Sequence, residues 1–111
     1  MTETERRGSP RVHRFFDVHC LAPDGSREQI QATDLSATGC HLNSIVSNMP
    51  STTVPHSQCR LLIFLGGEGS VAVDAEVVYA HRYRGIGVRF LNLPEAALSA
   101  IDRTVAAHRE S

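Results

Sequence analysis

Residues 59–77 read Cys59-Arg60-Leu61-Leu62-Ile63-Phe64-Leu65-Gly66-Gly67-Glu68-Gly69-Ser70-Val71-Ala72-Val73-Asp74-Ala75-Glu76-Val77. The first seven residues form an apolar run of strand length, interrupted only by Arg60. Gly66-Gly67-Glu68-Gly69 follows as a turn. From Val71 the pattern alternates, with Val71, Val73, Ala75 and Val77 on one face and Asp74 and Glu76 on the other. Two such runs joined by a short glycine-rich turn predict a β-hairpin. The second strand is expected to run as far as Arg82.

The pattern extends in both directions. After Tyr83-Arg84-Gly85, the stretch Ile86-Gly87-Val88-Arg89-Phe90 predicts another strand with Ile86, Val88 and Phe90 together. Toward the N-terminus a strand begins near Arg11, with Phe16, Val18 and Cys20 on one face and Phe15, Asp17 and His19 on the other. Pro23-Asp24-Gly25 is a turn, because proline presets φ and glycine accepts a positive φ. Arg27 to Thr33 then continues a hairpin, with Ile30 and Ala32 sharing a face. Asp34 to Gly39 reads as a loop that interrupts the sheet before Cys40-His41-Leu42 resumes it. Residues 43–58 are rich in Ser, Thr, Asn and Pro and show no period. The end differs: Pro94 and Glu95 suit a helix first turn, and Leu98, Ile101 and Val105 mark one face. A helix is predicted over about 94–109, while residues 1–10 read as a polar arm preceding a single domain over 11–111. Several short strands and one terminal helix imply an all-β fold, a small antiparallel barrel closed by the C-terminal helix.

Composition sets bounds on function. The 111 residues amount to one domain, 41% hydrophobic and 21% charged, with net charge −1. No apolar run approaches the ~20 residues that span a bilayer. The start has no apolar stretch of a secretory signal, so membrane insertion is not expected and a cytoplasmic location is. Cys20, Cys40 and Cys59 read as reduced core thiols rather than a disulfide framework. All eleven basic residues are arginine, and Arg6, Arg7, Arg11 and Arg14 cluster near the N-terminus. Arginine grips phosphate in a fork and stacks on bases.

Two motifs carry the functional signal. Arg7-Gly8-Ser9-Pro10-Arg11 has the form R-x-x-x-R, and Asp34-Leu35-Ser36-Ala37-Thr38-Gly39, some twenty residues on, the form D-x-S-x-x-G. In order and spacing they resemble the two-part signature of the PilZ domain family. Val77-Val78-Tyr79 followed by Gly85-Ile86-Gly87-Val88-Arg89-Phe90 resembles that family's closing strands, so the likeness runs from about Arg6 to the final helix. The resemblance implies a six-stranded barrel and a bacterial, non-enzymatic receptor for cyclic di-GMP. It further implies an adaptor that signals to a separate effector protein in motility, exopolysaccharide or biofilm control. By the same resemblance Arg7 and Arg11 take the arginine roles, and Asp34, Ser36 and Gly39 those of the barrel-surface motif. Thr38 stands where a second glycine often occurs. The residue before R-x-x-x-R bears on ligand number in the family; here it is Arg6, which implies two stacked ligands per chain. The alternative is a PilZ-like interaction scaffold that binds no nucleotide.

The residue types suit such a ligand. Arginine supplies cations for two phosphates and a fork for the guanine O6/N7 edge. Asp34 accepts from guanine N–H groups or holds an arginine, Ser36 offers a hydroxyl, and Gly39 permits a positive φ and close approach. The arm is expected to be mobile without ligand and to order with it.

Other chemistries find less support. His19-Cys20, Cys40-His41 and His56-x-x-Cys59 lack the paired spacing of a zinc site, so no metal is expected. No nucleophile elbow or P-loop is present, and Gly66–Gly69 joins two strands rather than a strand and a helix. Asp74 and Glu76 are explained by a solvent-facing strand. A nucleic-acid barrel needs aromatic platforms. Aromatics are only 5%, and Phe16, Phe64 and Phe90 are expected to face inward.

Overall fold

The computed structural model describes residues 11–21, 24–43, 56–81 and 85–109. Among these lie seven strands: β1 (Arg11–Val12), β2 (Phe16–Leu21), β3 (Arg27–Ser36), β4 (Gly39–Leu42), β5 (Gln58–Phe64), β6 (Ser70–His81) and β7 (Gly85–Leu91). One helix, α1 (Glu95–Arg109), follows. Strands β3, β2, β5, β6, β7 and β4 are neighbours in that order, all antiparallel, and β4 pairs back onto β3. Six strands therefore close a barrel, which removes every free edge but short ends. The seventh, β1, extends the β2 side of β3 by pairing Arg11 with Ser36 and Val12 with Leu35.

Alternation places the core. Phe16, Val18 and Cys20 of β2, Leu61 and Ile63 of β5, and Val73, Ala75 and Val77 of β6 are buried inside the barrel with Ile86 and Val88. The β5–β6 hairpin turns through a 3-10 turn at Gly66–Glu68, where Gly69, at φ +79°, closes onto Gly66. Helix α1 packs against β1, β3, β6 and this turn, and Arg103 Nε donates to Glu68 Oε1 at 2.8 Å. Among the described residues, no helix is long and apolar enough to cross a membrane.

Four local expectations change. The strand expected from Arg11 onward breaks at residues 13–15, leaving Phe15 66% exposed. The expected loop over Asp34–Gly39 is mostly strand: β3 continues through Ser36, β4 starts at Gly39, and only Ala37 and Thr38 turn. The cause is Leu35, wholly buried, which is drawn inward while β1 and β4 pair on either side of it. Phe64 lies on the outer face, edge-on to His19 with ring centroids 4.9 Å apart, whereas Phe90 is partly buried against the core. Helix α1 buries Ala97, Ala100, Ile101, Thr104 and Val105, while Leu98 is 37% exposed. Small residues let the helix axis approach the barrel and displace the larger leucine to the rim. The expected period-free stretch lies, over residues 44–55, outside the described residues.

Candidate functional site

The second motif sits on a distorted corner of the barrel. Strand β3 carries a bulge between Ala32 and Asp34, beyond which Asp34 faces His41 of β4. A bulge re-aims side chains, and here the Asp34 carboxylate turns back to the sheet. Its Oδ1 accepts the His41 backbone N–H at 3.0 Å and Arg11 Nη1 at 2.6 Å. The pairing of β1 with the end of β3 is what brings Arg11 there. Side-chain exposure falls from 40% at Arg11 to 15% at Asp34, so the ion pair lies at the edge of solvent.

Ser36 organises the turn from within. It is wholly buried, and its Oγ accepts from Thr38 N at 3.2 Å and from Arg11 Nη2 at 3.4 Å. The same hydroxyl donates to Gly39 O at 3.3 Å, and Thr38 Oγ1 lies 3.0 Å away. Gly39 does not use the positive φ that glycine permits. Its requirement is closeness, since a Cβ there would overlap the Val88 carbonyl oxygen of β7. Next to it, Cys40 is buried, and burial and the neighbouring Asp34 carboxylate push its thiol pKa up to about 12.

Around this corner opens a groove of about 720 Å³. Its polar lining comes from Arg11, Asp34, the Ala37–Gly39 turn and Arg89 of β7. Val78 and Tyr79 of β6, with Phe90, Leu93 and Leu98, add an apolar and aromatic lining. A second bulge, between Val77 and Tyr79, shifts the phase of β6 and turns both Val78 and Tyr79 outward. Tyr79 Oη lies 2.6 Å from His41 Nδ1. Arg89 Nε donates to Glu76 Oε1 at 3.0 Å, which holds that guanidinium across to β6.

The structure thus brings Arg11, Asp34, Ser36 and Gly39 together, although they come from three strands. Arg6 and Arg7 lie outside the described residues. His41, weighed in the sequence only as a metal ligand, and Tyr79 and Arg89, read there only as parts of the closing strands, also line the groove. The available signal was Gly85-Ile86-Gly87: glycines alternating in a strand mark a close approach, and these two underlie His41 and Tyr79. Among the described residues, no group of three or more metal-ligating side chains converges.

The sequence model of the PilZ domain family matches residues 5–107. No curated protein sequence matches the chain. Among solved structures, the chain is similar to the PilZ domain with c-di-GMP of YcgR from Escherichia coli. That likeness has a TM-score of 0.69 and 16% identity, covering 92% of this chain and 87% of the other. The Bacillus subtilis inhibitor of motility MotI/DgrA gives 0.76 at 15% identity, covering 95% of this chain, which spans 51% of that protein. The PilZ domain of CeSA from a cellulose-synthesising bacterium gives 0.64 at 19% identity, covering 87% and 95% of the two chains. At these identities the likeness is one of fold.

Proposed function

The chain belongs to the PilZ domain family, and from that membership we propose that it is a non-enzymatic receptor for cyclic di-GMP. The observation that carries this reading is the Arg11–Asp34 contact at the polar end of the groove. It joins the two halves of the family signature at one place, beside a cavity of a size typical for small ligands. Relatives of the same fold include E. coli YcgR, whose PilZ domain is a complex with c-di-GMP.

In this reading Asp34 holds Arg11 so that its guanidinium presents donors to a phosphate or a guanine O6/N7 edge. Ser36 and Gly39 act through the turn they shape, one from inside and the other by letting β4 approach β7. Arg7 is four residues from Arg11, a reach of at most ~14 Å of chain, enough to close over the groove. Docking of residues 1–10 on the ligand is the event that an effector protein reads, in a bacterial cytoplasm.

Ligand number is the finer point of this proposal. A pair of stacked cyclic di-GMP molecules carries four phosphate charges, and Arg6 adds a third guanidinium to those of Arg7 and Arg11. Two ligands per chain are expected, with Arg6→Leu shifting binding toward one. Titration calorimetry reads the stoichiometry, with GTP and cyclic AMP as controls. Saturation at one ligand, unchanged by Arg6→Leu, overturns the pair and leaves the receptor reading in place.

A further inference from the structure

We infer that His41 is a positioning residue: it fixes Tyr79 as the aromatic wall of the groove, and a purine of the ligand stacks on that ring. This rests on the cyclic di-GMP reading above, but it is carried by a separate set of contacts. His41 has two attachments that point in different directions. Its backbone N–H donates to Asp34 Oδ1 at 3.0 Å, and its Nδ1 lies 2.6 Å from the Tyr79 hydroxyl. The polar corner and the aromatic wall are therefore linked through one residue.

The strand opposite is shaped to hold both rings. Tyr79 stands across from Gly87 in the β6–β7 register. A Cβ on Gly87 would overlap the Tyr79 ring at Cε2, so the ring lies directly against the β7 backbone. A Cβ on Gly85 would likewise overlap His41 Nε2, and Gly85 itself sits at φ +98°. An aromatic side chain over a cross-strand glycine is a known way of covering exposed backbone. Here it leaves the ring with one face on the strand and 47% of the residue exposed toward the groove. The bulge that shifts the phase of β6 is what keeps Tyr79 out of the core.

A ring seated on backbone and held at its hydroxyl is pre-organised, so a stacking ligand does not bear the cost of ordering it. Stacking on aromatics is tolerant of sequence but needs an open π-face, which the groove side of Tyr79 provides. Without the His41 contact the ring keeps its seat on Gly87 but loses its anchor at the hydroxyl. The consequence falls on ligand binding rather than on the fold, since the pair is exposed.

Tyrosine emission gives a direct test. The chain has no tryptophan and two tyrosines, so in a full-length Tyr83→Phe background Tyr79 is the sole emitter. Cyclic di-GMP is titrated by fluorescence and, in parallel, by calorimetry, with thermal melting to confirm folding. The inference expects saturable quenching of Tyr79, and His41→Leu weakening binding by up to about tenfold, a part of what removal of the whole stack would cost. His41→Gln, whose amide can still bond the hydroxyl, restores most of the affinity. In the parent chain, Tyr79→Phe weakens binding as His41→Leu does, and the two together do no more than either alone. Calorimetric binding with unchanged Tyr79 emission, or wild-type affinity in His41→Leu, overturns the inference and leaves the receptor reading standing. An equal loss in His41→Gln and His41→Leu overturns the positioning role. No binding of cyclic di-GMP by the wild type in calorimetry removes the receptor reading, and this inference with it.

Discussion

Arg11 Nη1 lies 2.6 Å from Asp34 Oδ1, across 23 positions of sequence, because a two-residue strand pairs alongside the end of β3. The guanidinium touches Ser36 as well. One side chain thus spans both sequence motifs, and the barrel presents it already oriented at the groove.

The contact is partly exposed, so its effect on stability and on binding separate. Removal of an exposed ion pair costs about 0–1 kcal/mol of stability, whereas loss of a charge-assisted contact to a ligand costs about 1.5–3 kcal/mol. Arg11→Ala is expected to leave the denaturation midpoint nearly unchanged and to weaken cyclic di-GMP roughly 10- to 100-fold. Denaturant unfolding and calorimetry on the same preparation check both halves.

Gly39→Ala tests the close approach of β4 to β7. The obstacle is the Val88 carbonyl, part of the backbone, which cannot turn aside as a side chain would. Destabilisation of about 1–3 kcal/mol or more is expected. Gly67→Ala is the control, as nothing lies within 4 Å of a Cβ there; it is expected to stay within about 0.5 kcal/mol.

Cys40 makes stability depend on alkaline pH. Burial and Asp34 raise its thiol from 9.0 to about 12. Between those values the unfolded chain releases the proton and the folded chain keeps it. Stability is therefore full below pH 9 and falls as pH rises toward 12, by about 1.4 kcal/mol per unit. Urea unfolding at pH 8 and pH 10 shows this as a steeper loss in wild type than in Cys40→Ala. Parallel slopes would show that the thiol does not contribute.

The arm gives a prediction in hydrogen exchange. Amides of residues 5–11 are expected to gain protection when cyclic di-GMP is added, if Arg6 and Arg7 dock on the ligand as proposed. Arg7→Ala removes the gain. Equal protection with and without ligand contradicts the role proposed for the arm.

Much of the barrel was legible because its strands obey a period of two. Phe16, Val18 and Cys20, or Val73, Ala75 and Val77, declare an inner face by alternation alone. Asp34-Leu35-Ser36 did not, because Asp and Ser are turn formers and local propensity favoured a loop. The strand there depends on β1 and β4 pairing on opposite edges, which is non-local. Leu98 looked like the helix's inner face by hydrophobicity, yet Ala97 and Ala100 sit closer to the barrel because they are small. In the site, Arg11, Asp34, Ser36 and Gly39 were visible as motifs. The meeting of His41 and Tyr79 was not: they come together across 38 positions, only after β4 closes onto β7 and a bulge shifts the phase of β6.

The most direct test of the central claim is calorimetric titration of the full chain with cyclic di-GMP, beside GTP and cyclic AMP, in wild type and Arg11→Ala. The account predicts saturable binding of cyclic di-GMP alone, weakened about 10- to 100-fold by the substitution. The absence of saturable heat at high micromolar ligand, or wild-type affinity in Arg11→Ala, would contradict it. The first result would leave the barrel as an interaction scaffold.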